Sequence, residues 1–569
     1  MEAQKSSAAA SEEQGRFQGN GISGVLAFIK RIAGFSPVVS RSGAFAAANN
    51  ASREKAPEGK VGVDSRQIDP VAGIDACSLP GGGGGFSTLS LPKGVEELER
   101  LWNVRRSNLT ASDLQYAMEV QSSLKNLLAG ELERYGSMGA ANGYQDIHSL
   151  LPVALLKVLL DIYCDALSYP LEKWRGEAVD ADAVSVCIAE AARMLAMISW
   201  VRSEEPLPIV WRALAAAYGK TRKRIGGLVD GCLARASDSA TERFHVTLSR
   251  VLLLSLADPF SMQSSEIVAA DCLIASHLSG VSLGDCWSHS AVAFDLEAGI
   301  PLAGHKAEIA TRKCVVWISV NRIVVSLLGQ VVKRQIGCAS DLRPGMLDLP
   351  QLLAHRWMAF PSHRQDLRTG AFIGSRVVCG AITLIQAERP NWGAGHDKHA
   401  QHIGRDCIVL DYSDGGCRVR LRGASYLKLS PGILVGIELP SVQGRSVGVI
   451  SWAKRTAELR AEVGIRLLAR EVESVPFKLS LGRWEGGSSV EFGLLAIGES
   501  GQLDKESIEI FLPRSKAPAG NLGVLRAVNT GTDFHVQEVL EVGQDFLRVR
   551  ASTVASEAPV KMEFAPFSI

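Results

Sequence analysis

Several common signals are missing from this sequence, and each absence removes a class of protein. The eleven cysteines are odd in number and scattered, with no C-x-x-C pair. Zinc ribbons and disulfide frameworks are therefore excluded, and the thiols read as small buried hydrophobes in a reducing compartment. An excess of either charge is missing too, since 61 Lys+Arg against 60 Asp+Glu leave a formal net charge of +1. No global field then attracts a nucleic-acid polymer or a membrane, and any anion site must be local. Long uncharged apolar runs are also lacking. Leu150 to Tyr169 contains Lys157 and Asp161, and Cys314 to Val332 contains Asn321 and Arg322, so both are expected to be core helices rather than membrane spans. The opening "MEAQKSSAAASEEQG" lacks the basic-then-apolar order of a secretory signal, which points to the cytoplasm.

Catalytic patterns are absent as well. There is no nucleophile elbow, no H-E-x-x-H and no pair of carboxylates at motif spacing, so the chain reads as non-catalytic. "YGKTRKRIGG" resembles the end of a phosphate loop at Gly219, Lys220 and Thr221, but Leu214 stands where the loop's first glycine belongs and the surroundings are helical. His396, His399 and His402 in "HDKHAQH" have helical spacing without a well-placed acidic or thiolate partner, so no metal is expected.

What is present divides 569 residues into several units. Residues 1–90 are rich in Ala, Ser and Gly and end in a pentaglycine at Gly81 to Gly85, the composition of a disordered leader and flexible linker. Residues 91–355 carry about seven segments with apolar residues at spacings of three and four, which predicts an all-α bundle or solenoid. After Pro361 short β-rich runs arrive roughly every ten residues, separated by Gly, Pro, Asp and Asn. The spacing predicts two small antiparallel barrels, over 361–475 and 476–569, with the polar stretch 389–404 inserted as a loop in the first. The expected architecture is thus multidomain α + β.

Within the first β segment, "VLDYSDGGCRVRLRG" combines a turn and a basic strand. Asp411 and Ser413 are two apart and share a face of an extended strand. Gly415 and Gly416 suit a tight turn, while Arg418, Arg420 and Arg422 alternate with apolar residues. Upstream, Arg364 and Arg368 are four apart, and two guanidinium forks suit a pair of phosphates or a phosphate and a guanine edge.

R-x-x-x-R followed by D-x-S-x-x-G in a β-barrel resembles the PilZ domain, a bacterial receptor module for cyclic di-GMP. "PGILVGIELP", "SVGVISWAK" and "AEVGIRLLA" are similar to its later strands. The resemblance implies that Arg364 and Arg368 bind phosphate and guanine, that Asp411 and Ser413 take the other guanine edge, and that Gly416 shapes the turn. Arg418 is a weaker auxiliary candidate. The stretch from Arg368 to Asp411 is about double the family spacing, and the 389–404 insert accounts for most of the excess. Arg389 stands at the usual distance, but Ile385 occupies the place of its partner arginine, so that register ranks second. The expected function is a cyclic di-GMP effector, without another cofactor, that passes binding to a helical domain docking an unidentified protein. The alternative is a ligand-independent interaction scaffold with a degenerate barrel.

Overall fold

The computed structural model describes residues 91–554 with breaks, the longest at 138–146, 170–179, 226–239, 303–311, 338–348, 359–368, 389–404, 481–489, 498–507 and 515–523. Its N-terminal half is helical: α1 (Leu91–Arg106), α2 (Ala111–Ser137), α3 (Ile147–Ser168), α4 (Ala181–Val201), α5 (Pro208–Ile225), α6 (Ala240–Leu256) and α7 (Ser264–Ser276). The helix α4 is the centre, because it packs against α3, α5, α6 and α7 and so must be apolar nearly all round. Asp180 caps its start, accepting the Ala183 N–H at 2.6 Å. By length and composition α4 could cross a membrane, but 83% of its apolar window is buried inside the protein. Its one deep charge is matched across helices: Arg193 and Arg250 both bind the buried Asp271 carboxylate, at 2.7 and 2.6 Å.

This half is not all-α, contrary to expectation. Strands β1 (Ser282–Gly284), β2 (Ala291–Asp295), β3 (Ile300–Leu302) and β4 (Val315–Ser319) form a four-stranded sheet in the order β1-β4-β2-β3. The apolar run from Cys314 splits into β4 and the helix α8 (Asn321–Gly337), followed by α9 (Leu349–Met358). Val315, Val316 and Ile318 flank Trp317 in β4, and β-branched side chains stiffen the backbone toward a pleat over a length too short for helical period to decide.

The C-terminal half holds two closed six-stranded antiparallel barrels. The first contains β5 (Thr369–Cys379), β6 (Arg405–Ser413), β7 (Gly416–Arg422), β8 (Leu434–Glu438), β9 (Arg445–Thr456) and β10 (Arg460–Ala469). The second contains β11 (Glu471–Ser480), β12 (Val490–Ile497), β13 (Ile508–Pro513), β14 (Val524–Ala527), β15 (Asp533–Val542) and β16 (Phe546–Val554). Only Arg470 separates them, so the division falls earlier than the expected 476. Around each ring the strands run first, fourth, fifth, sixth, third, second, so the second barrel repeats the topology of the first.

The β-rich run "RVVCGAITLIQ" breaks at Gly380. There φ is +97°, a conformation that favours glycine, and the short helix α10 (Ala381–Ala387) follows. This helix is wedged between the barrels, where Leu384 and Ile385 join Val378, Leu434, Phe511 and Phe546 in one apolar cluster. Asp545 of the second barrel accepts the N–H groups of Ala381, at 2.6 Å, and Leu434, at 2.9 Å. The helical half meets the first barrel along β9. The Arg455 N–H donates to the Ser203 carbonyl at 2.7 Å, Lys454 pairs with Glu205, and Lys454 lies 5.7 Å from the Phe260 ring centroid.

Candidate functional site

The β6–β7 hairpin carries the D-x-S-x-x-G residues, and a bulge decides which way they face. Cys407 and Val409 point into the barrel core with Cys417, Val419 and Leu421. Strict alternation would send Asp411 and Ser413 inward after them. The register slips instead between Val409, paired with Val419, and Asp411, paired with Arg418, leaving Leu410 as an extra residue. Parity reverses there. Tyr412 packs on the core, and Asp411 and Ser413 turn to the outer face.

Asp411 is only 7% exposed and its Oδ2 lies 2.8 Å from Arg418 Nε. Arg418, a candidate auxiliary ligand contact, is therefore first a partner that fixes the carboxylate. The Ser413 hydroxyl donates to the Gly416 carbonyl at 3.3 Å. Gly416 serves by its lack of a side chain, not by a left-handed backbone, since a Cβ there would sit 2.4 Å from the Ile465 carbonyl of β10. Arg420 is committed elsewhere, donating to Glu462 from Nε at 3.2 Å and Nη2 at 2.7 Å.

Three residues near this turn were not singled out from the sequence. Arg418 pairs in register with Gly464, and Gly464 with Trp452. A Cβ on Gly464 would lie 2.0 Å from the indole nitrogen, so Trp452 lies over Gly464 in line with Asp411 and Arg418. On β10, Arg466 pairs in register with Gly416, and beyond it Arg470 binds Asp414 at 2.8 Å. Arg466 and Arg470 stand four apart, a signal present in the sequence but hidden inside what read as a barrel strand.

Arg364 and Arg368 lie outside the described residues. The residues that follow them are placed: Thr369 pairs with Tyr412 and Gly370 with Asp411, so the described chain resumes beside the turn. Arg389 and the histidines His396, His399 and His402 also lie outside the described residues. Glu388, next to Arg389, pairs with Arg445 beside Glu438, and the register from Ile437 through Val377 to Arg405 marks that as the other end of the barrel. Roughly 20 Å of extended strand separates the level of Glu388 from Asp411.

Among the described residues no group of three or more His, Cys, Asp and Glu could hold a metal ion. The described cysteines are free thiols, and burial pushes Cys407 up to about 11 and Cys187 up to about 12, so neither is a ready nucleophile. Thr221, of the loop-like "GKT", is buried in α5 and donates to the carbonyls of Ala217 and Tyr218. No family model matches this chain, and no curated protein matches it.

Proposed function

We propose that the chain is a non-catalytic cytoplasmic receptor for cyclic di-GMP, with the ligand on the outer face of the first barrel and the helical half as the partner-docking module. The observation that supports this best is the β5–β6 register. Thr369 opposite Tyr412 brings the strand that follows Arg364 and Arg368 beside Asp411 and Ser413, despite the long stretch of sequence between them. In this reading the Asp411 carboxylate, oriented by Arg418, accepts from the N1–H and N2–H groups of a guanine. Ser413 adds a second polar contact, Arg364 and Arg368 take phosphate and the other guanine edge, and Trp452 offers an aromatic face nearby.

Binding would reach the helical half through β9, whose Arg455 backbone and Lys454 side chain touch Ser203 and Glu205. The test is calorimetric titration of the chain with cyclic di-GMP. Arg368→Ala is expected to cost about 1.5–3 kcal/mol of affinity, the worth of a charged hydrogen bond, with the barrel still folded. Unchanged affinity in that variant would remove Arg368 from the site. A ligand-independent scaffold is favoured by one observation, that Asp411 and Asp414 are already ion-paired. A thermal midpoint unmoved by saturating ligand would select it.

A further inference from the structure

Beside the Asp411–Gly416 turn stand two arginines that the D-x-S-x-x-G reading leaves unassigned. The two barrels share one strand order, and each is preceded by R-x-x-x-R ending one residue before its first strand: Arg364 and Arg368 before Thr369, Arg466 and Arg470 before Glu471. In the second case the pair lies on or just beyond β10, the last strand of the first barrel. Because β10 pairs with β7, this places Arg466 opposite Gly416 and lets the Leu467 N–H bind the Gly415 carbonyl at 3.0 Å. The arginine pair of one barrel thus borders the glycine turn of the other.

The present partners of these arginines are weak ones. Arg470 binds Asp414 with side chains 48% and 96% exposed, and Arg466, 48% exposed, binds Glu541 of the second barrel at 2.5 Å, a carboxylate 21% exposed that also lies 3.7 Å from Arg548. The Arg470–Asp414 pair, exposed on both sides, is screened and contributes little, and the Arg466 guanidinium is half open to solvent. Other arginines of the barrels are held far more firmly: Arg548 donates to Glu509 from both Nε and Nη2, at 2.9 and 2.7 Å, with 19% of its side chain exposed. Arg466 and Arg470 are therefore the guanidinium groups at this turn that an incoming dianion can capture most cheaply, and the capture releases a carboxylate on each barrel.

We propose that Arg466 and Arg470 form a phosphate-binding pair for the cyclic dinucleotide at the Asp411–Gly416 turn, exchanging Glu541 and Asp414 for ligand phosphate and so coupling occupancy to the contact between the barrels. This rests on the receptor reading above. The test is calorimetric titration with cyclic di-GMP at two salt concentrations. Arg466→Gln with Arg470→Gln is expected to weaken binding at least tenfold and to flatten its salt dependence. Glu541→Gln with Asp414→Asn, which removes the two carboxylates that face these arginines, is expected to tighten binding severalfold, an outcome that a merely structural role for the arginines does not produce. If the unsubstituted chain binds and neither double variant shifts affinity, the inference is overturned while the receptor reading stands. If the arginine variant fails to fold, an unchanged affinity in the carboxylate variant overturns it alone. If the unsubstituted chain does not bind, both readings fall together.

Discussion

Asp545 shows how one residue ties the barrels together. Burial raises its carboxyl above the ordinary 3.8, against the lowering effect of the Leu434 and Ala381 N–H groups that it accepts. A carboxyl whose native pKa is raised holds its proton longer in the folded state, so its contribution to stability is greatest at low pH and declines as pH rises through the native value. Asp545→Asn removes that titration and also one of the two acceptor oxygens. Urea unfolding at pH 4 and pH 7 is expected to show a variant less stable by about 1–3 kcal/mol at pH 4, one buried donor having lost its acceptor, with a smaller deficit at pH 7. A deficit that does not shrink between the two would refute the assignment. Nothing in the sequence around "VGQDFL" announces this role, because the partners of Asp545 are backbone groups far away in the chain.

At the scale of elements, short apolar runs were the least legible. The strands that recur every ten residues between Val377 and Val463 could be read from alternation and turn residues, and the two barrels contain them. The helix α10 could not, since "AITLIQA" has strand composition and becomes helical only because Gly380 turns the chain into a groove between barrels. The Leu410 bulge was equally hidden, as Cys407, Val409, Asp411 and Ser413 keep one parity in sequence and divide between two faces in the structure. Deleting Leu410 would put Asp411 directly after Val409, so plain alternation would close the bulge and keep Asp411 opposite Arg418 on the outer face. The expected cost is that of losing a buried leucine, about 2–5 kcal/mol, measured by denaturant unfolding. A deletion variant of native stability would show that the bulge is dispensable.

Across the whole molecule, the two barrels share one apolar cluster. Phe546 of β16 is fully buried in the cluster that also holds Leu384, Leu434 and Val447 of the first barrel, with its ring 6.3 Å from Phe511. Phe546→Ala is expected to lower stability by about 3–5 kcal/mol and to shift both barrels in a single transition. Hydrogen exchange would check this, and protection lost from the second barrel alone would contradict it. The contact with the helical half is polar, built on the Ser203–Arg455 backbone bond and the pairs of Glu204 and Glu205.

Composition and periodicity by themselves determined that the first half is mainly helical, that the second is built of short antiparallel strands, and that Asp411 and Ser413 sit at a strand end, because these follow from local spacing along the chain. The small sheet within the helical half, the reversal of parity at Leu410, the plug of α10 and the meeting of Arg466 and Arg470 with the turn before Gly416 were decided only in three dimensions. Each depends on which distant strand or helix supplies the missing hydrogen bonds and apolar cover, and contacts of that kind leave no local period in a sequence.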